Sequence, residues 1–229
     1  MPGATAHTVK AFDEDLDELR ARVAAFGGQA EAGLREAMEA LIRRDAAGAE
    51  AALCHVEAAK AMSAAVERRA ICLIALRAPM ADDLREVLSC LKIAALIERI
   101  ADHAINIARS VVSLEAGRHI PAPVAIGRLA RGALEATRSA LDGFAAGDDR
   151  QSGPLCEAAA SAETLYRDLL EDCLGHMRRD PQSVGAVTTL LFVARSLWRV
   201  VDLASDVAAA VRFSVTGERA APLNLAKAS

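Results

Sequence analysis

Residues 84–109 read LREVLSCLKIAALIERIADHAINIAR, and this stretch decides the fold. It has the length and spacing of one long helix, with Glu98 and Asp102 one turn apart on one face. The row Leu84, Leu88, Leu91, Ala95, Glu98, Asp102, Ile105, Arg109 and Val112 steps by fours and threes, as a coiled-coil seam does. A neighbouring row, Arg85, Ser89, Lys92, Arg99, His103, Asn106 and Ser110, is polar and is expected to face water. The acid pair then sits near the edge of the buried face. A carboxylate there needs a hydrogen bond, a cation or a metal, because burying a bare charge is costly.

The stretch recurs 100 residues later. Residues 194–208 read ARSLWRVVDLASDVA, so that Arg99 matches Arg199, Asp102 matches Asp202, Ala104 matches Ala204 and Ala108 matches Ala208. Gly117 and Gly217 follow at the same distance, where a helix C-cap glycine belongs. A repeat found once makes the chain a tandem pair rather than a long solenoid.

Composition agrees. Among 229 residues 53% are hydrophobic but only 3% aromatic, which favours helices rich in Ala, Leu, Val and Ile. The net charge of −4 and the lack of a long basic run argue against nucleic acid as a partner. No apolar run is expected to reach the roughly 18 residues of a membrane span, and the N-terminus lacks the pattern of a signal peptide, so a cytoplasmic location without membrane insertion is expected. Cys54, Cys72, Cys90, Cys156 and Cys173 are odd in number, without a CxxC, and are expected to be buried thiols.

Periodicity and breakers give six helices. The first runs from about Thr8 to Arg43, with Phe12, Leu16, Leu19 and Val23 on its apolar face, and residues 1–7 are expected to be disordered. Its acidic run, Asp13 to Glu18, reads as a solvated first turn near the positive helix end, and less readily as a docking face for a basic partner. A local bend is expected at Gly27-Gly28. The second helix runs from about Ala46 to Leu76, before Pro79, with Leu53, Val56, Met62, Val66, Ile71, Leu73 and Ile74 available to its buried side. The motif helix follows. After a linker at Arg118–Pro123 come helices from about Val124 to Ala146, Ser152 to Arg179 and Pro181 to Thr216. The fold class is all-α: two antiparallel three-helix bundles in line, at residues 8–117 and 123–217.

On residue chemistry alone, Glu-x-x-x-Asp on a helix is either a salt-bridged edge, neutralised by Arg99 or a facing arginine, or an oxygen site for Mg2+, Mn2+ or Fe. The second alternative would make the chain a carboxylate-bridged metal store or metal-dependent enzyme. A helical scaffold that binds no metal is a third reading. There is no Glu-x-x-His pair, P-loop or Ser-His-Asp order to support catalysis. His103 is expected at the surface, and Trp198, the single tryptophan, is expected in packing.

Residues 98–108, ERIADHAINIA, closely resemble the E-R-I-G-D-H-A-x-N-I-A motif of the PhoU family, regulators of bacterial phosphate uptake and signalling. Residues 81–85 (ADDLR) resemble that family's A-x-D-L-R helix start, and Phe12 to Leu19 resemble its F-x-x-x-L-x-x-L segment. Leu165-Tyr166 to Met177 and Val215 to Glu218 also match, so that the resemblance covers residues 8–219. It implies a tandem of three-helix bundles and an adaptor, not an enzyme. The adaptor would be a negative regulator that links the ATPase subunit of a phosphate transporter to a sensor histidine kinase in two-component signalling, with a homodimer among the expected assemblies. It also implies Fe, Mn or Mg bound at the acidic motifs: Glu98, Asp102 and Glu57 in the first repeat, and a degenerate Asp202 and Glu163 in the second. The second repeat departs from the pattern. Trp198 replaces the motif glutamate, Ala159 falls where another acid is usual, and Ala61 stands at a position that is polar in the family. Any metal is therefore expected in repeat one, and Asp202 is expected to take Arg199 or another cation as its counter-charge.

Overall fold

A computed structural model describes residues 3–115 and 123–218, with side chains from residues 11–114 and 123–218. Six helices occupy this span: α1 (Gly3–Arg43), α2 (Ala46–Arg77), α3 (Asp82–Glu115), α4 (Val124–Ala146), α5 (Ser152–Arg179) and α6 (Val184–Thr216). Among the described residues there is no strand. Most of the expected linker, Gly117 and the tail from Arg219 lie outside the described residues.

The helix ends follow local chemistry. Asp45 caps α2 by accepting from the Gly48 N–H at 3.0 Å. Ala78 closes α2 in the left-handed region at φ 45°, just before Pro79 stops it. Gly147 and Gly217 end α4 and α6 at φ 61° and 75°, a conformation that costs glycine little. Two differences from expectation stand out at the ends. α1 begins at Gly3, and a short 3-10 turn at Pro181–Ser183 precedes α6.

α1, α2 and α3 pack on one another, as do α4, α5 and α6. The most extensive interface is α3 on α6, and α1 also meets α4. The Arg85 guanidinium near the start of α3 donates to the Ser214 carbonyl near the end of α6, at 3.1 Å. The two motif helices are therefore antiparallel, and the bundles lie side by side rather than in line. One continuous apolar core runs through both.

Gly27-Gly28 produces no break in α1. A Cβ at Gly27 would come within 2.5 Å of Leu141 in α4, and one at Gly33 would overlap Val56 in α2. These glycines let helices approach closely. The α2 contact face is also small: Ala49, Ala52, Val56, Ala59, Val66, Ala70 and Leu73 are buried, while Ile71, expected inside, is 55% exposed.

Contrary to expectation, the stretch Pro181–Thr216 is long and apolar enough to cross a membrane by length and composition. Its hydropathy has a different explanation here. α6 packs against α3, α4 and α5, and a helix surrounded by neighbours is apolar on most sides.

Candidate functional site

The acidic motif of α3 faces α2, but in a different register from the one the spacing suggests. The buried side of α3 is Val87, Cys90, Ile93, Ala94, Leu96, Ile97, Ile100, Ala101, Ala104, Ile105, Ile107, Ala108 and Val111. The row that contains the acids lies mostly along its rim: Leu88 is 49% exposed, Val112 is 37% exposed, Ala95 and Arg109 are also exposed, and of that row only Ile105 is buried. The supposed water-facing row is not all outside either. Ser89 is buried, and the Nδ1 of His103 is buried without a hydrogen-bond partner. Burial lowers the His103 pKa, and Arg199 and Arg99 lower it further, so its neutral form is favoured.

On the rim, each acid meets one donor from α2. The Ser63 hydroxyl donates to Glu98 Oε2 at 2.8 Å, and the Lys60 ammonium donates to Asp102 Oδ1 at 2.7 Å. Asp102 raises the Lys60 pKa, chiefly by that hydrogen bond, against some desolvation; Glu98 and Glu57 add charge attraction. Asp102 is 49% exposed, so the pair is worth only about 0.2–1 kcal/mol. Arg99, the sequence's candidate for this role, makes no ion pair with either acid. Glu57 is exposed and touches the cluster only through charge.

The second repeat puts an aromatic stack where the first puts its acid and serine. Trp198, the counterpart of Glu98, stacks on Tyr166 of α5 with centroids 5.2 Å apart and planes 9° apart. The Arg199 guanidinium lies 5.7 Å from the Trp198 ring centre and donates to Asp202 at 2.5 Å, the counter-charge expected for that acid. Glu163 is exposed and pairs with Arg167 along its own helix, at 2.8 Å. Ala159 is buried.

These donor sets do not fit a metal. Among the described residues, no three His, Cys, Asp or Glu side chains are grouped to hold an ion. A hard cation wants about six oxygens, and Asp102 Oδ1 already accepts from the Lys60 ammonium. No step of the function is therefore assigned to a metal.

Two other expectations need correction. The acidic run of α1 is exposed at Asp13, Glu14 and Asp17, but it is not the first turn, because α1 begins at Gly3, and Asp15 and Glu18 pair with α2. Asp15 binds Arg69 at 2.6 Å and Arg77 at 2.9 Å, both from α2, and Glu18 also reaches Arg69 at 2.5 Å. The five cysteines are not all buried: Cys54 and Cys72 are exposed, Cys156 is intermediate, and only Cys90 and Cys173 are inside. Burial pushes the Cys90 thiol up to about 12, which makes it inert as a nucleophile.

Lys60, Ser63 and Tyr166 were not legible as partners of the motif. The one available signal was their place on the second helix of each repeat, 35 to 42 residues before the acids in the first.

Comparison with known proteins supports the fold. The PhoU domain model matches twice, at residues 23–111 and 126–211. A phosphate-specific transport system accessory protein PhoU homolog of Zymomonas mobilis is 37% identical over 214 residues, covering 93% of this chain and 90% of that protein. The protein of the same name from Rhizobium meliloti is 33% identical, with the same two coverages. The crystal structure of PhoU from Pseudomonas aeruginosa superposes with a TM-score of 0.86 at 27% identity, covering 90% of this chain and all of that one. With both repeats matched, and with relatives this similar across nearly its whole length, the chain belongs to the PhoU family.

Proposed function

We propose that this protein is a cytoplasmic negative regulator of phosphate uptake and of the phosphate-starvation response. It acts as an adaptor between the ATPase subunit of a phosphate transporter and a sensor histidine kinase. The observation that carries this reading is the similarity, across 93% of the chain, to proteins named as accessories of a phosphate-specific transport system. The geometry is in keeping with it. The motif side chains are engaged with their own neighbours by hydrogen bonds, ion pairs and stacking, which suits a scaffold that works through its surfaces. The test is genetic: deleting the gene should switch on phosphate-starvation genes in phosphate-rich medium, and unchanged repression would refute the proposal.

A further inference from the structure

We propose that the chain's own side-chain cations complete its two acidic motifs, Lys60 in the first repeat and Arg199 in the second, and that Lys60 keeps hard divalent cations such as Mn2+ away from Glu98 and Asp102. Three observations and one electrostatic repulsion lead there. The Lys60 ammonium sits 2.7 Å from Asp102 Oδ1 and so occupies a carboxylate oxygen that a bound ion would need. Ser63 donates to Glu98 Oε2, so one oxygen of the other acid is engaged as well. A divalent ion bound by both acids would lie close to the ammonium, and the repulsion would add to the loss of its water shell. In the second repeat the matching space holds the Trp198–Tyr166 stack, and Asp202 is held by Arg199.

The two repeats thus reach the same end by different routes. Repeat two has lost a carboxylate to an indole and keeps an arginine three residues before its aspartate. Repeat one keeps both acids and brings a lysine from the adjacent helix. A single change at Lys60 should open the first site, whereas the second needs at least Trp198 changed. This inference is independent of the adaptor role, since metal content and repression are separate measurements.

The experiment compares wild type, Lys60→Glu and Lys60→Gln, each full-length and checked for helicity by circular dichroism. Metal is measured by mass spectrometry on protein purified without chelator, and Mn2+ binding by equilibrium dialysis. Wild type should carry no stoichiometric metal and bind Mn2+ weakly. Lys60→Glu adds a carboxylate where the ammonium was and should bind stoichiometric Mn2+, with a rise in melting temperature on adding the ion. Lys60→Gln removes the cation without adding charge and should tighten Mn2+ binding by about tenfold or more over wild type. It decides the matter if Lys60→Glu does not fold. Stoichiometric metal in wild type would overturn the inference, and so would equal Mn2+ affinity in wild type and Lys60→Gln.

Discussion

Replacing Trp198 with Ala tests whether the indole is a structural substitute for a polar group. The ring is partly buried, stacked on Tyr166 at 5.2 Å and flanked by Arg199 at 5.7 Å. Truncating a fully buried aromatic costs about 3–5 kcal/mol. Partial burial puts Trp198 lower, at about 2–3 kcal/mol, of which the stack supplies about 0.5–1.5. A chain of this size loses about 2–4 °C of melting temperature per kcal/mol, so the drop should be about 4–12 °C. The assay is thermal and urea unfolding followed by circular dichroism, on wild type, Trp198→Ala, Tyr166→Ala and the double variant. The double-mutant cycle should return a coupling of about 0.5–1.5 kcal/mol. A shift within error of zero, or no coupling to Tyr166, would show that the ring is surface decoration.

The glycines of α1 should separate cleanly. Gly28→Ala meets open space and should gain up to about 1 kcal/mol from helix propensity, whereas Gly33→Ala runs into Val56 and should lose about 1–2 kcal/mol net, both read from urea midpoints. Asp15→Asn should cost about 1–2 kcal/mol at neutral pH. Arg77 first, then Arg69, hold the Asp15 carboxyl below its usual range, so its stabilisation is present above about pH 4 and is lost as pH falls through the lowered folded value. The stability gap between wild type and Asp15→Asn should therefore be constant near neutrality and close in acid; a gap that is the same at every pH would contradict the assignment.

The parts of this fold that could be read from the sequence are those set by local chemistry. Asp45, Pro79, Gly147 and Asp180 mark turns because their effects act within a few residues. The offset of 100 between Asp102 and Asp202 revealed the tandem because both copies keep a third helix against a second one. The Arg199–Asp202 pair was legible because it lies within one turn. The rotation of α3 was not. That helix is covered by α1, α2 and α6, so its buried face is wide and several rows of residues compete for it. The row through Glu98 looked apolar because it held leucines, but Leu88 lies outside, and the true seam mixes isoleucines and valines with alanines. Lys60 was hidden for a related reason. Which α2 side chain meets Asp102 depends on how the alanine-rich α2 seats against its neighbours, and that is a packing outcome rather than a pattern in either helix.

Regulation of phosphate signalling is open to a direct genetic measurement. A phosphate-starvation reporter is read in a clean deletion strain grown in excess phosphate, with and without the gene restored. The account predicts high reporter activity in the deletion and restored repression on complementation by the wild-type gene. Full repression in the deletion, with no second copy of the family in the genome, would contradict it.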